Sequence, residues 1–243
     1  MSSPSLMPLL SLLSDLRTGL VRLFWPERPG CLWCGEPLAA SAVPDRLCPT
    51  CRGTVTRAPI AGRSREPLAS VTAVGPYEGG LAQAIRDLKY RRRRSLVPSL
   101  GQALAGAAVA GARLAAQPAA RDGQPVGKPV LVPVPLHARR FRERGFNQSE
   151  LLGREVSRLL GWPLEGQSLL RVRATRRQAR LGRSQREQNL TGAFSVRPGW
   201  AAPGHVVLID DVYTTGATAS ACAEALVRAG ARRVDIVTLA IER

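Results

Sequence analysis

Two adjacent carboxylates, Asp210 and Asp211, follow the apolar run Val206, Val207, Leu208 and Ile209. After them comes a small hydroxyl- and glycine-rich stretch, Thr214, Thr215, Gly216, Ala217 and Thr218. The apolar run reads as a buried strand and the small residues as a loop that opens a helix. Carboxylates then stand at the end of the strand, and backbone N–H groups at a helix N-terminus. A ribose phosphate needs both: acceptors for its two hydroxyls, and oriented N–H dipoles with threonine hydroxyls for its phosphate. A bare phosphate cradle would not gather two acids, because like charges repel; a sugar or a cation must be there to hold. Two other readings compete. The pattern also fits a Walker B strand, which requires GxxxxGK[ST] elsewhere. The nearest match, Gly123 to Gly127, Lys128 and Pro129, is one residue short and carries Pro where Ser or Thr belongs. Plain threonine capping of a structural helix is the other reading. The paired acids favour the ribose phosphate.

A second group of residues points to a metal. Cys31 and Cys34, followed by Gly35, and Cys48 and Cys51, followed by Arg52, form two CxxC units. Two residues between thiols let both sulfurs face one ion, and four thiolates make a closed tetrahedral zinc site with no open position for substrate. Disulfides are the alternative; a secretory signal is a poor fit to the N-terminal residues, so a reducing compartment, which disfavours them, is expected. The chain is therefore expected in the cytoplasm, with zinc as a structural cofactor whose binding is coupled to folding of the ribbon. On this reading chelation unfolds residues 30–52 alone. Cys222 stands apart among apolar neighbours and reads as a buried thiol.

At 243 residues, 44% of them hydrophobic, the chain can build one good domain and a small appendage. Its net charge is +17, and of 35 basic residues all but Lys89 and Lys128 are arginine. Such a balance favours polyanionic partners: nucleic acid, phosphorylated substrates or an anionic membrane surface. The charge concentrates in 86–94, 139–144 and 171–186. Aromatics make up only 5% of the chain, thin for base stacking, so any DNA binding is expected to be electrostatic and salt-dependent.

These groups need elements to position them. Apolar residues at helical spacing between Leu6 and Phe24 predict an N-terminal amphipathic helix (1–29), with packing or membrane-surface contact both open. The zinc ribbon spans 30–53, a Pro/Gly/Arg-rich linker 54–70, and an α/β domain 71–243. Within that domain, strands are predicted at 71–77, 130–134, 169–172, 194–196, 206–209 and 234–241. Helices are predicted from 81 to 116 with a break near Pro98, at 148–160 and at 218–229. Strands separated by helices predict a mostly parallel sheet with helices on both faces, and ligands at the carboxyl ends of its strands. No apolar stretch is expected to reach the length of a membrane span.

The chain resembles the ComF family of phosphoribosyltransferase-like proteins associated with DNA uptake in natural transformation. The resemblance runs from Leu23, Phe24, Trp25 and Pro26 through both CxxC units, Tyr77-Glu78-Gly79 and the run Ile85, Arg86, Asp87, Leu88, Lys89, Tyr90. It continues with Val132, Pro133, Val134, Pro135, Leu136 and His137, then Arg144, Gly145, Phe146, Asn147 and Gln148. Arg171, Arg173, Thr175, Gln178, Arg186, Asn189 and Gly192-Ala193-Phe194 follow, and Asp210 to Thr218 completes it.

The resemblance implies a phosphoribosyltransferase fold in which Asp210, Asp211, Thr214, Thr215, Gly216, Ala217 and Thr218 hold phosphoribosyl pyrophosphate (PRPP). Pro135, Leu136 and His137 would lie against the pyrophosphate, and 171–189 in a mobile hood. Lys89, Pro135, His137, Arg144, Arg171 and Arg173 are candidates for pyrophosphate or DNA. Mg²⁺ would accompany PRPP in an active enzyme. Arg144 with Asn147 and Gln148 could equally cap the following helix. No general base is visible, so catalytic residues stay unassigned, and His205 has no evident role. Partners implied are single-stranded DNA and DNA-uptake or recombination proteins. Two readings remain: a binding protein in DNA uptake, or a transferase with an unknown acceptor.

Overall fold

A computed structural model describes residues 30–38, 46–114, 127–173, 190 and 192–242. The expected N-terminal helix, and Thr175, Gln178, Arg186 and Asn189, lie outside the described residues. The first half of the chain forms α1 (Pro49–Thr56), β1 (Ile60–Ala61), β2 (Ser70–Pro76), α2 (Gly79–Tyr90), a 3₁₀ turn (Arg94–Leu96) and α3 (Val97–Leu114). The second half forms β3 (Val130–Pro133), α4 (Ala138–Arg144), α5 (Gln148–Leu160), β4 (Leu169–Arg171), β5 (Phe194–Val196), β6 (His205–Tyr213), α6 (Ala217–Arg228) and β7 (Arg233–Ile241).

The main sheet has the order β1-β2-β7-β6-β3, parallel throughout except for β1 at its edge. β6 and β7 are buried along nearly their whole length, as strands covered on both faces must be. Successive side chains part to opposite faces. Val207 and Ile209 join one apolar cluster, Val206 and Leu208 the other; Val237 and Leu239 separate from Val234 and Ile236 in the same way. α3 and α5 cover one face, against β2, β7, β6 and β3, while α6 covers the other with the small antiparallel pair β4–β5. The expected α/β architecture, a mostly parallel sheet with helices on both faces, is what the chain forms.

Three local features differ from the sequence reading. Segment 54–70 supplies the end of α1 and strand β1, and the Gly62 N–H donates to the Val71 carbonyl at 2.9 Å. The stretch Arg94–Arg113 is long and apolar enough, by length and composition, to cross a membrane, which amends the expectation that none is. Half of it is buried inside the fold, where its alanines and glycines permit close helix packing. At Gly101 a Cβ would stand 2.7 Å from Glu155 Cβ of α5. Finally, α4 was not predicted, because its arginine-rich sequence has no apolar period and buries no residue.

Candidate functional site

Strands β2, β3 and β6 end at one edge of the sheet, where a cleft of about 860 Å³ opens. This is the edge at which parallel α/β sheets hold ligands. The last residues of β6 carry the two acids, and the strand alternation that sorts the core sorts them too. Asp211, 4% exposed, points to the side of α2, whose last turn brings Lys89 Nζ to 2.7 Å from Asp211 Oδ1. Asp210 Oδ1 accepts from Ser149 Oγ at the start of α5 and from the Asp211 N–H, both at 2.9 Å.

The electrostatics follow from burial. Desolvation and the neighbouring Asp211 push the Asp210 carboxyl up to about 7, against the opposing pull of Lys89 and the two hydrogen bonds. Burial draws Lys89 down, but the Asp211 charge and hydrogen bond, with Asp210 behind them, outweigh it and hold the ammonium above its ordinary value. Asp211 Oδ2 is buried with no hydrogen-bond partner among the described residues. A lone buried acceptor is costly, so this oxygen is a ready place for a sugar hydroxyl or a hard cation.

Beside the acids, Thr214, Thr215 and Gly216 turn the chain into α6. Gly216 takes a left-handed φ of 76° at the N-cap, and a Cβ there would collide with the Tyr213 ring. Only glycine meets both demands. The Ala217 N–H turns onto Thr215 Oγ1 at 3.4 Å. Thr214, Gly216 and Thr218 line the cleft; Thr215 and Ala217 form the loop behind them.

The opposite wall is basic. Pro135 and His137 lead into α4, with His137 Nδ1 accepting from the Arg139 N–H at 3.1 Å, so this histidine caps the helix. Gly145 ends α4 at φ 79°, and Asn147 starts α5 by accepting from the Ser149 N–H while donating to the Val134 carbonyl, both at 3.1 Å. Arg144 donates to the buried Gln148 at 2.8 Å and lies over the Tyr90 ring, its guanidinium carbon 5.5 Å from the centroid. Arg171 lines the cleft with its guanidinium over Phe194; burial and the nearby Arg140 pull its pKa down. Buried Asp87 pairs with Arg91 and Arg93, accepting from Arg93 Nη1 and Gln83 Nε2 at 2.6 and 2.8 Å.

Of the residues singled out in the sequence, Lys89, Pro135, His137, Arg144, Arg171, Asp210 and Asp211 meet around this one cleft. Arg173 is exposed beyond β4 and does not line the cleft as the described residues form it. Sequence reasoning missed Tyr90 and Gln148 as parts of the wall, and Ser149 as the buried donor to Asp210 behind it. Asn147 just ahead of Ser149 was the available signal, since an N-cap marks where the next helix aims its first turn.

The four knuckle cysteines also come together, with their sulfurs all within 4.8 Å of one another and none bonded to another. The Cys48 N–H donates to Cys31 Sγ at 3.3 Å, and the Cys51 N–H to Cys48 Sγ at 3.5 Å. Burial pushes Cys31 up, but backbone N–H groups outweigh it and bring its thiol down to about 7. Burial and the neighbouring sulfurs push Cys51 up. Four soft donors this close, resisting joint ionisation by themselves, fit a cation such as zinc. The knot is not a separate bead. Trp33 is fully buried in the cluster that holds α2 and α3, and its Nε1 donates to Ser99 Oγ at 3.1 Å. At Gly80 in the first turn of α2, a Cβ would collide with Cys51 Sγ.

At the other end of the sheet, His205 acquires a role. Its Nε2 meets Asp235 Oδ2 at 2.8 Å, and Asp235 also accepts from Arg233 (2.7 and 2.9 Å) and Ser70 Oγ (2.6 Å).

Comparison with known proteins adds relatives of similar length. The chain is 34% identical over 229 residues to the DNA utilization protein YhgH of Salmonella typhi, covering 86% of this chain and 95% of the relative. The Escherichia coli K12 protein of the same name is 32% identical over 225 residues with the same coverage. Competence protein F of Haemophilus influenzae is 36% identical over 169 residues, 69% of this chain and 70% of that one. No family model matches the chain.

Proposed function

The chain belongs to the ComF family, and on that footing we propose that its cleft is the phosphoribosyl site of a phosphoribosyltransferase-like domain serving the handling of single-stranded DNA. The observation that carries the reading is the placement of Asp210, Asp211 and Lys89 at the end of β6, directly before the loop that opens α6. Asp210 and Asp211 hold the ribose hydroxyls. Thr214, Thr215, Gly216, Ala217 and Thr218 receive the 5-phosphate on N–H groups and hydroxyls. Lys89, Arg144 and Arg171 neutralise a pyrophosphate or a strand phosphate, with Pro135 and His137 shaping that wall.

Mg²⁺ fits the oxygen donors of Asp210 and Asp211, and when bound it would screen the charge of a pyrophosphate. Cys31, Cys34, Cys48 and Cys51 would hold zinc, and the closed knot would brace the N-terminal end of α2 that packs against Cys51. The relatives' names, DNA utilization and competence, and the arginine-rich composition of the chain support DNA as the larger partner. A labelled single strand should bind with a steep loss of affinity as salt rises.

Isothermal titration of PRPP with Mg²⁺ into zinc-loaded protein tests the cleft. Saturable binding lost in the Asp210→Asn/Asp211→Asn variant is the expected result. Folded wild-type protein that binds no PRPP would overturn the phosphoribosyl assignment.

A further inference from the structure

We propose that Tyr90 is a stacking platform for a nucleobase at the mouth of the cleft, so that the site accepts a planar heteroaromatic ring attached to a sugar phosphate. The inference rests on the phosphoribosyl reading of the cleft and adds a ring subsite to it.

The chain has three tyrosines, and all three line the cleft. Two are committed to the fold. Tyr213 is 6% exposed, donates to the Arg63 carbonyl at 3.2 Å and has Gly216 against its ring. Tyr77 packs on the apolar cluster of α2 and α3. Tyr90 keeps 71% of its surface exposed and contributes to neither core cluster. A single exposed aromatic is ordinary on a protein surface; this one is exposed beside the acids, next in sequence to Lys89, which touches Asp211.

The ring is also held. Arg144 lies over it at 5.5 Å and is itself fixed by Gln148, which is 3% exposed. Just beyond Tyr90 the chain turns through Arg92 at φ 54°, and Arg92 Nη2 donates to the Glu143 carbonyl at 2.8 Å, tying the end of α2 to α4. A guanidinium on an aromatic ring, with open ring surface left over and arginines around it, is the arrangement that stacks bases and draws in their phosphates. The low aromatic content of the chain therefore does not exclude stacking. One ring suffices when it stands where the sugar phosphate is held.

The test uses full-length zinc-loaded protein and three probes: PRPP, which has no ring; adenosine 5′-monophosphate; and a 5′-phosphorylated oligo-dT. Tyr90→Ala is expected to weaken at least one base-bearing probe about tenfold more than it weakens PRPP, whose loss reads only the displaced Arg144; Tyr90→Phe should behave as wild type. Loss confined to the mononucleotide assigns the subsite to free nucleotides, and loss confined to the oligonucleotide assigns it to a strand. Unchanged affinity for both in Tyr90→Ala, or equal loss of PRPP, would overturn the proposal. Wild type that binds no PRPP removes the phosphoribosyl reading, whereas the oligonucleotide arm still reads stacking. A strand carrying 5-iodouracil should photocrosslink to the Tyr90 peptide; crosslinking only elsewhere counts against it.

Discussion

Two carboxylate clusters occupy opposite ends of neighbouring strands, and they are built to opposite rules. Asp235, at the start of β7, takes hydrogen bonds from His205, Arg233 and Ser70 on both of its oxygens. Burial pushes its carboxyl up, but those partners outweigh burial and hold it below the ordinary range. Asp210 and Asp211, at the end of β6, share one lysine and one serine, and one oxygen is left with no partner among the described residues. Burial there wins, and Asp210 rises to about 7. A saturated buried acid is a fastening; an undersaturated one carries a cost that a ligand can remove. The same sheet supplies both because its two ends differ in what surrounds them, not in the strands themselves.

The largest expected effect tests the fastening. Asp235→Ala leaves Arg233 and the buried His205 without their anion, and should cost about 3–5 kcal/mol in urea unfolding. PRPP affinity should stay as in wild type. A binding defect larger than the stability loss explains would break the division between the two ends. Next comes the ligand end. Lys89→Met strands Asp211 as an unpaired buried charge and should cost about 3 kcal/mol, most of it recovered by adding Asp211→Asn. No recovery in that cycle would mean the Lys89–Asp211 pair is not what holds the two residues.

How much of this could be read in the sequence depends on how far apart the partners lie. The strand, the acids and the loop of 206–218 are contiguous, so their period and residue types announced them. The CxxC units did so by spacing. The partnership of His205 with Asp235 could not be read, because it crosses from one strand to the next through a register that only the folded sheet defines. Lys89 and Asp211 meet across the whole α/β domain for the same reason. The α4 helix has no apolar face to betray it; its caps, His137 and Gly145, were the only local marks. The sequence also reads as a ribbon followed by a linker. Trp33 sits instead in the core beneath α2 and α3, so metal removal is expected to disturb α2 as well as the knot.

The pH dependence of stability should separate the two ends by sign. Asp210 has a raised carboxyl, so the folded state keeps a proton that the unfolded chain has released. Its contribution is fully present below about pH 4 and is lost as pH rises toward about 7. Asp235 is depressed, so its contribution is present above about pH 4 and is lost as pH falls through its folded value. In magnesium-free buffer, Asp210→Asn should flatten the neutral limb of the stability curve and Asp235→Asn the acid limb. Both variants altering the same limb would sink the comparison.

The smallest effect is the sharpest test of how the ligand end is tuned. Ser149 Oγ donates to Asp210 Oδ1 and favours its ionised form. Ser149→Ala removes one hydrogen bond to a charged group, worth about 1–2 kcal/mol. The Asp210 carboxyl should then titrate higher, and the pH at which PRPP binding reaches half its maximum should move up by up to about one unit. Stability at pH 5 should scarcely change, because the carboxyl is already protonated there and no anion loses its donor. If the Ser149 hydroxyl only fastens the start of α5 to β6, the opposite pattern appears: stability falls by a similar amount at every pH and the binding midpoint stays put. The two outcomes differ in slope rather than in size, so even an effect this small can decide whether the start of α5 tunes the acids or merely ends a loop.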